Sequence, residues 1–285
     1  MKIPSNYLQA FYAVSQTLHF AKAQSILHIT QSAISQRILA LEEMLETTLF
    51  IRERSNLRLT VDGEKLLRYC QQQEQSEAEI LGILGKKSQS ALSGTIRVGG
   101  FSSIMKSALM PSLAPLFEKN STLGLQLITK ELNELLPLLR RAEVDFIITN
   151  ENPEKEDIEA HYLGTEENIL VVSGKHQHIL HYLDHDPEHV TTQMYFKIKK
   201  EPLKNVSIRY VDNVEGLIEG ARLGLGKAVV PRHLINPRDG LKILNPKTTM
   251  KVPMYLLFYR QNYYSKLHHE IINHIKNYFK IHFPH

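Results

Sequence analysis

Apolar positions near the start of this chain fall at helical spacing and are broken by short polar turns. Leu8, Phe11, Val14 and Leu18 form one apolar face, and Ala23, Ile26 and Leu27 form the inward side of a second, shorter segment over 21–27. After Thr30, a residue type that caps helix N-termini well, Ile34, Ile38, Leu41 and Leu45 make a single narrow stripe. With successive side chains turned by about 100°, Ser32, Ser35, Gln36 and Leu39 point away from that stripe, and Gln31 and Arg37 fall on opposite flanks. Residues 49–59 then read as two short strands around a tip that carries Arg and Asn. The order is helix, short helix, turn, helix, hairpin.

A longer helix is expected from Thr60, which is followed by Asp62 and Glu64 and then by a run free of Gly and Pro as far as Ile80. Leu66, Leu67, Cys70, Ile80, Leu81, Ile83 and Leu84 give it apolar contacts at its two ends, whereas its QQQEQSEAE middle is polar. So thin an apolar seam calls for a partner helix. Residues 86–94 have the composition of a hinge. Beyond them the period changes. Strands are predicted at 95–99, 123–129 and 145–149, with helices at 104–117 and 133–141 between them. A second unit has a strand at 169–173, a helix at 213–223 and a strand at 227–230, and a strand at 255–259 and a closing helix at 267–279 follow. Alternation of this kind gives a parallel α/β domain.

Composition narrows the function. With 285 residues, 42% of them hydrophobic, the chain can bury more than one core. No stretch reaches the roughly 18 consecutive apolar residues of a membrane span, and no export signal is evident, so a cytoplasmic location is expected. Cys70 is the single cysteine, which excludes an internal disulfide and reads as a small buried hydrophobe. The net charge of +4 is only compatible with nucleic acid, but its distribution says more. Residues 1–41 hold Lys2, Lys22 and Arg37 and no Asp or Glu, and the hairpin adds Arg52, Arg54 and Arg58. A helix presenting Ser and Gln can enter a major groove and read base edges, Gln being suited to adenine, while arginines at its sides hold phosphates.

With those residues in view, TQSAISQRILALEEMLETTLFIRERSNLRLTVDGEKLL resembles the recognition helix, wing and linker-helix start of LysR-type transcriptional regulators, in order and spacing. The resemblance is most specific over residues 7–67 and extends over nearly the whole chain. Two positions depart from the family pattern: Ala21-Lys22-Ala23-Gln24 replaces a capping Ser or Thr followed by Arg-Ala-Ala, and Ser32 stands where Pro is frequent. The resemblance implies a winged helix-turn-helix domain (1–59), a linker helix and hinge (60–94), and a two-lobed α/β effector domain of periplasmic-binding-protein type (95–285). Lobe I would comprise 95–163 and 262–285, and lobe II 164–261, with crossings near Gly164 and Gln261. It further implies contacts to double-stranded DNA from Thr30, Gln31, Ser32, Ser35, Gln36, Arg37, Arg52 and Arg54. A homodimer through the linker helix, a homotetramer and contact with RNA polymerase belong to the same picture.

The stretch Val98-Gly99-Gly100-Phe101-Ser102-Ser103 leads from a strand through two glycines into a helix start. Free N–H groups there attract anions and the hydroxyls can add hydrogen bonds, although capping by serine explains the same pattern. The resemblance implies a small anionic effector between the lobes, touched by Ser102, Ser103, Thr129 and Asn150, with Asn213 from the second lobe. Effector binding would alter lobe closure and, through the linker helices, the spacing of recognition helices.

Other readings have less behind them. The glycines of 220–226 follow a helix and precede a strand, the wrong context for a dinucleotide loop, so Gly224 or Gly226 reads as a left-handed helix stop. Of His176, His178, His181, His185 and His189, the last four could line one helical face and bind Zn²⁺ or Ni²⁺, but Pro187 interrupts such a helix, and Asp184 and Asp186 suggest a solvated loop. A hydrolase would need a Gly-x-Ser-x-Gly elbow, which 99–103 lacks. A plain ligand-binding protein leaves residues 1–60 without a role. The reading therefore includes no cofactor, no metal and no catalysis.

Overall fold

The computed structural model describes residues 2–53, 56–84, 92, 94–188, 190–201 and 206–283. The N-terminal unit contains α1 (Ser5–Thr17), α2 (Phe20–Leu27), α3 (Gln31–Leu45) and the hairpin β1 (Phe50–Glu53) and β2 (Asn56–Leu59). Its core joins Leu8, Phe11 and Val14 of α1 to Ala23, Ile34, Ile38 and Leu41, with Leu49 and Phe50 closing one end. Two residues expected inside are not. Leu18 takes a left-handed conformation that ends α1, leaving it 46% exposed, and Ile26, on α2, which starts at Phe20 with the His19 ring as its cap, is 56% exposed. The hairpin is fixed by Glu42 of α3, whose Oε1 accepts the N–H groups of Leu49 and Phe50 at 2.6 and 3.3 Å.

Thr60 caps α4 (Val61–Leu84), its Oγ1 accepting from Gly63 N–H and donating to Thr48 O. Leu67 and Cys70 sink into the N-terminal core, whereas Tyr69, Ile80 and Leu81 remain exposed. Burial pushes the Cys70 thiol up to about 12, which makes it a poor nucleophile. Of the hinge stretch 86–94, Leu92 and Gly94 lie within the described residues.

The rest is built on a nine-stranded sheet. Its elements are β3 (Thr95–Gly100), α5 (Ser102–Ile104), a π-helical turn (Met105–Leu109), α6 (Met110–Lys119), β4 (Gly124–Thr129), α7 (Leu132–Arg140), β5 (Phe146–Thr149), β6 (Ile158–Ser173), β7 (Tyr182–Asp184), α8 (Thr191–Lys199), β8 (Ile208–Tyr210), α9 (Val214–Arg222), β9 (Lys227–Pro231), β10 (Leu241–Leu244), β11 (Met250–Tyr259) and α10 (Lys266–His282). The strand order is β4-β3-β5-β11-β6-β9-β7-β8, with β10 also on β6. Period-2 alternation sends Phe146 and Ile148 to one face, under α6 and α10, and Ile147 to the other, under α7. Lobe II repeats the arrangement with α9 on one face and α8 on the other.

β6 is one strand through both lobes, paired antiparallel with β11 from Ile158↔Tyr259 to Asn168↔Met250. The register shifts between Met254 and Tyr255, opposite Gly164. Met254 belongs to the lobe I core, Met250 and Val252 to that of lobe II, so the second passage between lobes lies inside β11 and not near Gln261. Asp184 corrects the solvated-loop expectation: it is buried at the end of β7, and its Oδ2 accepts from Thr192 N–H at the start of α8. His176 packs near Gly224, which takes φ +82° as the helix stop. His189 lies outside the described residues, and among those described no cluster of three His, Cys, Asp or Glu could hold a metal.

Candidate functional site

The structure leaves the polar residues singled out on α3 off its buried stripe. Gln31, Ser32 and Gln36 are exposed, Ser35 and Arg37 half-buried, and Ile34, Ile38 and Leu41 face the core. Thr30 Oγ1 accepts from Ala33 N–H at 3.3 Å and lies 3.0 Å from Ser32 Oγ, so the first turn is organised by its own hydroxyls. Thr30→Ala should therefore cost about 1 kcal/mol of stability, readable as a lowered urea midpoint. Arg52 stands on the hairpin with its guanidinium 4.9 Å from the Phe20 ring centre, which orients it toward the helical side. Arg54 lies outside the described residues.

In the effector domain, the parallel strands β4, β3 and β5 lie side by side and end at Thr129, Gly100 and Thr149. Ligands of open α/β sheets collect beyond such carboxyl ends. Thr129, Ser102 and Asn150 are brought together there by topology. Phe101, not a serine, occupies the cap position, so Ser102 opens the helical run 102–119. Asn213 is already committed: its Oδ1 accepts from Gly216 N–H and its Nδ2 donates to Asp212. Two residues later Glu215 meets Lys106 at 3.2 Å, which brings the start of α9 against the π-helical turn that follows Ser103.

Ser103 is also spoken for. Its Oγ donates to Glu166 Oε1 at 2.8 Å, a buried carboxyl on β6 where the strand enters lobe II, with Asn168 Nδ2 at 3.5 Å from Oε2. Burial raises Glu166 to about 7, against the lowering effect of the Ser103 and Asn168 hydrogen bonds. His233, just after β9, places Nε2 2.9 Å from Ser107 Oγ, 3.4 Å from Ser103 O and 3.9 Å from Glu166 Oε1. Because the Ser107 hydroxyl donates to Ser103 O, the consistent tautomer has Nε2–H donating to Ser107. Burial holds His233 below its ordinary pKa, hence neutral. Sequence reasoning missed this cluster, although the polar Glu166-Glu167-Asn168 break before an apolar strand was visible. It resembles a Ser-His-acid set without its wiring: acid and hydroxyl approach the same ring nitrogen, and among the described residues no acid orients the base from Nδ1.

Comparison with known proteins agrees with the fold. Residues 5–64 match the bacterial regulatory helix-turn-helix protein, lysR family, and residues 89–280 match the LysR substrate binding domain. The HTH-type transcriptional regulator HdfR of Yersinia enterocolitica is 34% identical over 158 residues, which is 55% of this chain and 53% of that protein. The chain thus spans about half the length of the curated relatives it matches. Among solved structures, ArgP from Mycobacterium tuberculosis superimposes with a TM-score of 0.80 at 22% identity over 98% of both chains. Full-length LysG from Corynebacterium glutamicum with bound effector Arg does so with 0.78 at 19% identity, over 97% of this chain and 98% of that one. Exposed Gln and Ser on a winged third helix, a long linker helix, and two α/β lobes joined by paired strands are the features of one family, and this chain belongs to it: the LysR family of bacterial regulatory helix-turn-helix proteins.

Proposed function

We propose that this chain is a sequence-specific, cytoplasmic transcriptional regulator that binds double-stranded DNA through residues 1–59 and a small effector through residues 95–285, with 60–94 as linker. The observation that carries the reading is the polar first half of α3, where Gln31, Ser32 and Gln36 are exposed and Ser35 is half-buried, in a unit whose hairpin bears Arg52. Helices of that composition read base edges, and flanking arginines set the register on phosphate. Exposed Tyr69, Ile80 and Leu81 on α4 support self-pairing of that helix as a homodimer. A homotetramer and contact with RNA polymerase are carried over from the family. Among the described residues, Ser103 and Ser107 have no base oriented for catalysis.

Selection of bound sequences from a random duplex pool, at about 0.1–0.15 M salt to weaken non-specific attraction, tests the reading. An enriched, roughly palindromic site is expected; equally weak affinity for all duplexes would sink it. Gln36→Ala should weaken the selected site by about 10- to 100-fold and leave random duplex nearly unaffected, because a base-reading pair contributes about 1–3 kcal/mol of discrimination. Equal losses on both would mean that Gln36 acts through phosphate or folding.

For the effector, the cleft beyond Gly100, Thr129 and Thr149 suits a small molecule with an anionic group, held by Ser102 and Asn150. LysG, with bound effector Arg, suggests the size of an amino acid. Titration of metabolites linked to genes beside the selected sites, with Ser102→Ala as control, tests this. Equal binding to wild type and Ser102→Ala would move the site elsewhere.

A further inference from the structure

The linker helix α4 is gripped by lobe I of its own chain at the place where α7 ends. Arg68 Nη1 donates to Arg140 O at 2.8 Å, and Gln71, buried, donates from Nε2 to Ala142 O at 2.9 Å. The Arg68 guanidinium lies 4.0 Å from the ring centre of Tyr259 at the end of β11. Ala142 takes φ +54°, turning its carbonyl out of the helix end, and Arg97 Nη1 approaches the same oxygen at 3.4 Å. Further along α4, Glu79 accepts from Tyr263 OH and Lys266 N–H at 3.3 and 3.4 Å.

The interface is mixed, with Ala142 packed in the cluster of Leu67 and Cys70, and it is loosely filled on its polar side. A cavity of about 30 Å³, large enough for a water molecule or two, lies between Gln71, Gln75, Asp145, Gln261 and His268. His268 is 2% exposed with Nε2 unpartnered, its ring enclosed by Phe146, Tyr264 and Phe258.

The other end of α7 faces the cleft. Glu131 and Glu134 form a capping box just after Thr129, and nine residues of helix, about 13 Å, separate that cap from the carbonyls held by α4. α7, whose hydrogen-bond ladder is interrupted at Pro137, thus has one end at the effector cleft and the other on the linker helix.

The geometry points to Arg68 and Gln71 as positioning residues of the regulatory response: by holding the carbonyls that close α7, they make a shift of α7 at the cleft move the linker helix and the DNA-binding domain with it. The inference rests on the regulator reading above. It is tested in the full chain with spin labels at Gln73→Cys on α4 and Glu156→Cys in lobe I, labelled chains being diluted in unlabelled ones so that intrachain distances are read. Wild type should give one narrow distance. Gln71→Glu, which loses the donor, and Arg68→Ala should each add a longer-distance population and reduce operator bending, while affinity for a single half-site stays within about threefold, as for substitutions remote from a contact. Arg68→Lys, which keeps a donor and loses the planar stack, should fall between them and stands in if Arg68→Ala does not fold. Unchanged distances in the variants overturn the inference. So do changed distances with unchanged bending, since the contact would then be structural only. Failure of wild type to select any operator would overturn the regulator reading instead, leaving the distances interpretable.

Discussion

His268→Phe should remove most of the stability the protein loses in acid, and Glu166→Gln most of what it loses toward pH 8. Desolvation lowers the folded-state pKa of His268 from 6.5 to about 3, with a smaller contribution from His269. Below pH 6.5 the unfolded chain takes up a proton that the folded one refuses, so stability is complete above 6.5 and falls as pH drops toward 3, by about 5 kcal/mol in all. Glu166 has the opposite sign. Its pKa rises on folding from 4.5 to about 7, so its contribution is complete below pH 4.5 and is lost as pH rises through 7, by about 3 kcal/mol. Phe suits the ring cage around His268, and Gln keeps an acceptor for Ser103. Urea unfolding from pH 3 to pH 8 reads both effects as differences from wild type. A difference between wild type and Glu166→Gln that is flat across pH 5–8 would show that the carboxyl is solvated in the folded protein.

Gly164→Ala is expected to cost at least about 3 kcal/mol, a loss of the size seen when a backbone clash adds to backbone strain. Gly164 has φ +128°, and a Cβ there would lie 2.1 Å from Phe283 O, a backbone atom at the end of α10. Neither the crossing strand nor the helix end can yield without disturbing the other. Gly240→Ala separates the two causes. Its φ of +69° carries strain, but nothing lies within 4 Å of the added carbon, so a loss of only about 1 kcal/mol is expected. Similar losses at both glycines, measured as urea midpoints at constant m, would mean that α10 moves aside.

The elements legible in the sequence were those whose burial follows a local period. Ile34, Ile38 and Leu41 identified α3, and Thr60 announced α4, because amphipathic spacing and caps are properties of a few neighbouring residues. β7, β8, β10 and α8 passed unseen: the strands have three or four residues, too few for a period, and α8 is capped by Asp184 from another element. Ile26 was misplaced because one apolar stripe does not reveal whether a neighbour covers it. Of the candidate effector residues, strand ends bring Ser102, Thr129 and Asn150 together, a consequence of βαβ order that sequence carries. The Glu166, Ser103 and His233 cluster depends on contacts across more than sixty residues, for which no local pattern exists.

β6 remains one unbroken strand from Ile158 to Ser173, zipped to β11 on both sides of Gly164. Two bodies sharing such a spine cannot swing apart like jaws on a slack tether, for that would tear a continuous ladder of backbone hydrogen bonds. They can twist about it, as a torsion bar does, by small angles centred on the register shift opposite Gly164. A small twist becomes a large displacement only at the end of a long lever, and α4, with 24 residues and about 36 Å of helix, is the longest one among the described residues.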